Sequence, residues 1–298
     1  MRRLMWSSAA LLPVLGLTLA FSSAAGAQSG TAQVRSAGTA PGAAPGAGAE
    51  AAARAALRHL VIRPSGDQRA GGHAARPATG PVQALSFNWA GYVDDNTTGK
   101  TYDKAGGAWT QPAITCAAHI NEIAAFTAGI DGYTSSSQEQ AGTLAQCFQG
   151  AAHYYTWWQM APSGGITMVG KTVAAGDKIA ASVLRNGIAY TLSVTDSTTT
   201  GNNFSVKKTC ATATCPDTSA EWIAQAPDSP RGDYPLPNFK TWRLTSATAK
   251  SASTVGKIST FPDDVLTMLD GSETYNLATT GSLNTVGNAF TVTWHNIY

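Results

Sequence analysis

From Leu85 to the C-terminus, short runs of alternating apolar and polar residues recur between clusters of Gly, Asn, Asp and Pro, and long stretches of helical periodicity are scarce. The clearest unit lies between Lys178 and Asp196, where Ile179, Ala181 and Val183 alternate with other positions, Asn186-Gly187 supplies a turn, and Ala189 to Val194 runs back. Asn-Gly suits a type I′ hairpin because both central residues need positive φ. Further strands are predicted at Ser86–Val93, Ile123–Ile130, His153–Met160, Phe204–Lys208, Ala220–Ala224, Lys240–Ser246 and Ala289–Trp294. Each sheet built from such strands must bury one apolar face, so the predicted fold is an all-β sandwich of two packed antiparallel sheets, with a closed barrel as the alternative. Asp263-Asp264 reads as a turn or a helix start.

The first 84 residues have a different texture. Arg2 and Arg3, an apolar run from Ala9 to Phe21 and the small triplet Ala25-Gly26-Ala27 have the three-part layout of a secretory signal peptide over residues 1–27. The run contains Pro13 and is shorter than the roughly 20 residues that span a bilayer, so an exported protein without a membrane anchor is expected. Residues 28–84 are Ala, Gly, Pro and Arg with almost no aromatic side chain, which predicts a disordered propeptide ahead of one domain at 85–298.

Charge divides at the same place. Residues 1–84 carry eight Arg against Glu50 and Asp67, a net of +6, whereas residues 85–298 carry 12 Lys and Arg against 16 Asp and Glu, a net of −4. The acidic domain argues against a nucleic-acid partner and suits a basic propeptide lying on it. A monomer is expected.

All four cysteines, Cys116, Cys147, Cys210 and Cys215, fall in the domain. An even count in an exported chain favours disulfides. Cys210 and Cys215 are spaced like a loop clasp, which leaves Cys116 for Cys147. Several catalytic classes then drop out. The domain holds only His119, His153 and His295, with no Gly-x-Ser-x-Gly elbow and no His-Glu-x-x-His, so Ser-His and zinc chemistry lack their residues. A cysteine nucleophile needs a free thiol. Paired Asp-Thr/Ser-Gly loops are missing too, and no metal or cofactor is expected.

Carboxylate chemistry of another kind remains. Glu221 is one of few acids in its region, and Gln140 offers a neutral amide about eighty residues upstream. Around them the chain reads Asn88-Trp89-Ala90-Gly91-Tyr92, Trp109-Thr110-Gln111-Pro112, Gly129-Ile130-Asp131-Gly132, Gln140-Ala141-Gly142, Tyr154-Tyr155-Thr156-Trp157-Trp158-Gln159-Met160-Ala161-Pro162 and Ala220-Glu221-Trp222-Ile223. In this order the segments resemble the glutamic peptidases, the eqolisins, from Phe87 to the closing Phe290-Thr291-Val292-Thr293-Trp294.

The resemblance implies a β-sandwich and a secreted, acid-active endopeptidase acting on proteins or peptides. It places the catalytic pair at Gln140 and Glu221, a supporting acid at Asp131 and a cleft indole at Trp157. Two positions depart from the family pattern: Thr127 stands where the family has Trp, and Gln159 where it has Glu. Glu221 as base and then acid, with Gln140 holding the oxyanion, is the implied mechanism. A carbohydrate-binding or glycan-cleaving sandwich is the competing expectation, because aromatic rows also suit sugars and Asp131 with Glu221 imitates a glycosidase pair.

Overall fold

Eighteen strands form among the residues that the computed structural model describes, which are 46–57, 60, 62, 81–95, 99–162, 164–210, 215–229 and 232–297. In chain order they begin with β1 (Val82–Ser86), β2 (Trp89–Asp95), β3 (Tyr102–Thr110), β4 (Glu122–Ile130), β5 (Gln138–Phe148) and β6 (Ala151–Ala161). Next come β7 (Thr167–Thr172), β8 (Lys178–Asn186), β9 (Ala189–Asp196), β10 (Phe204–Thr209), β11 (Ser219–Gln225) and β12 (Asp228–Ser229). The last are β13 (Gly232–Asp233), β14 (Thr241–Ser251), β15 (Thr254–Gly256), β16 (Asp263–Leu269), β17 (Asn276–Thr280) and β18 (Phe290–Trp294).

Hydrogen bonds join them in the order β10-β9-β8-β3-β14-β18-β17-β16-β2-β11-β4-β5-β6-β7. This ladder folds back on itself at β17. As a result β9, β8, β3 and β14 lie face to face with β6, β5, β4 and β11, as the predicted sandwich requires. One edge is an exception to the antiparallel rule, since β1 pairs in parallel with β16 from Val82↔Asp264 to Ser86↔Met268. The expectation of a turn or helix at Asp263-Asp264 is corrected by the same pairing. Both residues open β16, and Asp264 accepts the Tyr133 hydroxyl at 2.8 Å.

Inner faces meet over an aromatic core. Trp242 is fully buried with ring centroids of Trp109, Phe126 and Phe290 at 5.7, 5.5 and 5.9 Å, and Phe126 meets Phe239 edge-on at 5.4 Å. Two indoles also bridge the layers with hydrogen bonds, Trp222 to the Gly106 carbonyl at 2.9 Å and Trp109 to the Thr143 hydroxyl at 3.3 Å. Buried N–H groups without partners are costly, so these bonds select the register of the two sheets as well as their contact. Both predicted disulfides form, Cys116–Cys147 with Cα atoms 5.4 Å apart and Cys210–Cys215 with 6.4 Å.

The signal-peptide expectation lies outside the described residues. Part of the segment expected to be disordered is ordered, which corrects that reading: Ala47–Ala56 is a helix, α1, and Leu57, Leu60 and Ile62 beyond it are at most 5 % exposed. They pack with Ile123, Ala125, Leu144, Tyr155 and Trp157 on the outer face of β4, β5 and β6. Average composition concealed them, because three aliphatic side chains suffice when the partner surface already exists. Nor is the charge pairing the one expected. The leader's Glu50 meets the domain's His153 at 2.9 Å, and Arg54 stacks on the Tyr155 ring at 4.8 Å.

Replacing Trp242 removes the ring shared by three others. Trp242→Ala is expected to cost about 3–5 kcal/mol, read as a lower urea midpoint with an unchanged slope. A midpoint equal to wild type would show that the core does not depend on this indole.

Candidate active site

Strand register places the site. One cross-strand row on the outer face of the sheet reads Gln159 on β6, Gln140 on β5, Gly129 on β4, Glu221 on β11 and Val93 on β2. The next row reads Trp157, Gly142, Thr127, Ile223 and Gly91. Alternation along each strand decides these faces, for Ala128, Ala141 and Trp222 between them point into the aromatic core.

Gln140 and Glu221 are therefore not on neighbouring strands; β4 runs between them. Two strand spacings separate their backbones, about 9.6 Å. Their side chains nevertheless meet, with Gln140 Nε2 donating to Glu221 Oε1 at 3.3 Å. The gap is open because residue 129 is glycine. A Cβ there would stand 2.5 Å from Gln140 Cγ and 2.6 Å from Glu221 Oε1.

Glu221 Oε2 takes a second, longer contact from the Ser219 hydroxyl at 3.5 Å. Both dyad side chains are fully buried. Burial pushes the Glu221 carboxyl well above the usual range; the Gln140 amide pulls it back, while Asp131 and Glu139 raise it further.

Asp131 does not face Glu221 across the groove. Its carboxylate accepts the backbone N–H of Asp217 and of Thr218, both at 2.8 Å, and the Thr218 hydroxyl at 3.2 Å. It thereby ties the end of β4 to the entry of β11, three and four residues before Glu221. Asp131 holds φ +65°, a left-handed conformation that Asp tolerates better than most residues.

Thr127 faces the groove, and its hydroxyl donates to the Ala141 carbonyl at 3.1 Å. Gln159 lies in the dyad row, donating to Gln138 Oε1 at 2.8 Å and to the Ile62 carbonyl at 2.9 Å. Trp157 is on the groove face as expected, yet it has no exposed surface, because leader residues Leu57, Leu60 and Ile62 share its cluster.

Sequence reasoning missed Glu139 and Asp217. With Asp131 they form a buried trio whose carboxylate oxygens all lie within 4.8 Å of one another, behind the dyad row. Glu139 points inward because its neighbours Gln138 and Gln140 point outward. Its Oε1 accepts the Ser137 hydroxyl at 2.6 Å, while its Oε2 has no partner. Asp217 takes the Tyr190 hydroxyl at 2.5 Å and pairs with Arg185 at 2.8 Å. With one cation for three carboxyls and Asp131 already holding three donors, the trio suits shared protons better than a metal ion. A run of Gln-Glu-Gln at a strand start was the only trace of it in the sequence.

Burial, with Asp131 and Asp217 adding to it, pushes Glu139 up to about 9, and burial lifts Asp217 to about 6. A carboxyl whose folded pKa is raised holds its proton more tightly in the folded chain. Its contribution is complete below the unfolded pKa of about 4 and is lost as pH rises through the folded value. Stability is thus expected to fall from about pH 4 towards pH 9, with Glu139 alone contributing a slope of about 1.4 kcal/mol per pH unit. Thermal melting across that range checks it, and Glu139→Gln should flatten the curve; equal melting temperatures at acid and neutral pH would contradict it.

Comparison with known proteins identifies the family and the fold. The profile of the peptidase A4 family matches residues 87–294. Among curated protein sequences no relative matches. Of solved structures, scytalido-glutamic peptidase with a transition-state analogue inhibitor superposes with a TM-score of 0.58 at 16 % identity, covering 70 % of this chain and 98 % of that one. SCP-B, an eqolisin in complex with the tripeptide Ala-Ile-His, gives 0.54 at 15 % identity, covering 70 % and 98 %. Aspergilloglutamic peptidase from Aspergillus niger gives 0.50 at 23 % identity, covering 58 % and 99 %. At these identities the superpositions establish the fold, and the family match over most of the domain establishes the kinship: the chain belongs to the peptidase A4 family and is a glutamic endopeptidase.

Proposed function

We propose that Gln140 and Glu221 are the catalytic pair of a secreted, acid-active peptidase made as a precursor whose leader is removed on activation. The observation that carries this reading is the amide–carboxyl contact of 3.3 Å across Gly129, on the groove face of the sheet. As a carboxylate, Glu221 takes a proton from the attacking water and returns it to the leaving amine. Gln140 orients that water and donates to the oxygen on which negative charge develops. No imidazole enters these steps, so acid does not disable them as it would a His base.

The buried state described above supports a precursor. Burial raises the Glu221 pKa and so disfavours the ionised form that acts as base; readmitting water returns it towards the ordinary carboxylate range. Activity then declines as pH falls through that pKa, since the base must be ionised. Asp131 assists by position, holding the chain before β11, and by charge, moving the Glu221 pKa upward. The three-part N-terminal pattern supports export. The glycan-cleaving alternative needs a second carboxyl facing Glu221, but Asp131 is engaged by backbone donors and Glu139 points into the sandwich.

Glu221→Gln is expected to reduce peptide hydrolysis at acid pH by about 10³-fold or more, and Gln140→Ala by about 10²–10³-fold, with native circular dichroism in both. Variants that digest a protein substrate as well as wild type would remove the dyad. Gly129→Ala tests the geometry directly. Its Cβ forces Gln140 and Glu221 apart, and kcat is expected to fall at least as far as in Gln140→Ala. Full activity in this variant would mean that the contact over residue 129 is dispensable.

A further inference from the structure

Leader residues Leu57, Leu60 and Ile62 lie in sequence along the outer face towards the dyad row. The first turn of α1 is held at His153 through Glu50, and beyond the helix Leu57, Leu60 and Ile62 pack with Tyr155, Leu144, Ile123 and Trp157. At the far end the Ile62 carbonyl reaches the dyad row and accepts from Gln159 Nε2 at 2.9 Å. Gln159 is the cross-strand neighbour of Gln140. The other Gln159 hydrogen bonds to Gln138, which fixes the amide so that one N–H always faces the groove.

The leader leaves polar groups of this groove unsatisfied. Gln159 Oε1, Gln140 Oε1 and Trp157 Nε1 are buried and lack partners. Each such atom costs roughly 1–3 kcal/mol. Two acceptors in the dyad row and a donor in the row beside it match the N–H and C=O groups of an extended peptide, a ligand that satisfies more of them than the leader does.

From this we infer that the strip of Ile123, Leu144, Tyr155 and Trp157 is a substrate subsite for aliphatic side chains, and that Gln159 holds a substrate backbone carbonyl one strand away from Gln140. The leader is a partial substrate analogue in that subsite. Because it runs N- to C-terminally towards the dyad, the aliphatic residues of a substrate fall on the N-terminal side of the scissile bond. Gln159 is a binding residue that stays a donor at every pH, where a Glu at this position donates only while protonated. This departure from the family pattern makes the carbonyl contact independent of pH.

The inference rests on the dyad reading, and the two fail differently. Full-length wild type, activated at acid pH, is given a peptide library, and its cleavage sites are mapped by mass spectrometry. Leu, Ile and Val are expected to be enriched within five residues before the cut. Cleavage that persists in Glu221→Gln overturns the dyad; cleavage that needs Glu221 but shows no aliphatic enrichment on that side overturns the subsite. On a peptide from the preferred set, Gln159→Ala is expected to raise KM about tenfold with a smaller change in kcat. In Gln159→Glu, KM should equal wild type at low pH and climb as the carboxyl ionises, while the wild-type KM stays level. A KM in Gln159→Glu that follows wild type at every pH overturns the role given to Gln159.

Discussion

The site depends on an absence at the centre of the sheet. Gln140 and Glu221 belong to strands on either side of β4, and any side chain between them would occupy the space in which they meet. Glycine at 129 converts a separation of two strands into a hydrogen bond. Everything around it serves to hold that geometry. Asp131 anchors the start of β11, Trp222 and Trp109 lock one sheet onto the other, and the rows of alternating residues keep the amide and the carboxyl on the same face. No strand has to move for the amide and the carboxyl to meet.

Both faces of this sheet are covered, the inner by the second sheet and the outer, in part, by α1 with Leu57, Leu60 and Ile62. Burial on both sides explains why β4, β5 and β11 read as continuous buried runs where an alternating pattern with one solvated face was anticipated. It also governs the electrostatics. The pKa values of the carboxyls at Asp131, Glu139, Asp217 and Glu221 are all raised by desolvation, which disfavours their charged forms.

Local chemistry was legible where it was self-contained. The hairpin appears with β8 and β9 at the predicted limits, but its turn is one residue on from the expected Asn186-Gly187: Asn186 pairs with Ala189, and the two-residue turn is Gly187-Ile188, with positive φ at Gly187 alone. The disulfides followed from count and spacing. Strand β5 was not foreseen, although it carries Gln140, because Gln-Glu-Gln followed by Ala and Gly has neither alternation nor β-branched residues. Its strand state comes from pairing with β4 and β6 on both sides. The leader was misjudged for a related reason. Ala-rich composition described its average, whereas its attachment uses three aliphatic residues and one carbonyl.

By itself the sequence determined the element type, the cysteine pairing and the residues able to do chemistry, because strand periodicity, loop spacing and side-chain functional groups are local properties. Tertiary structure alone decided that Gln140 and Glu221 meet, that Asp131 holds a backbone, that Glu139 joins a buried acidic trio and that Leu57, Leu60 and Ile62 pack on the outer face of β4, β5 and β6. Each of those outcomes turns on the pairing of strands distant along the chain and on which face a register assigns to each side chain. Shifting one strand by a single residue would exchange its faces, while leaving the sequence unaltered.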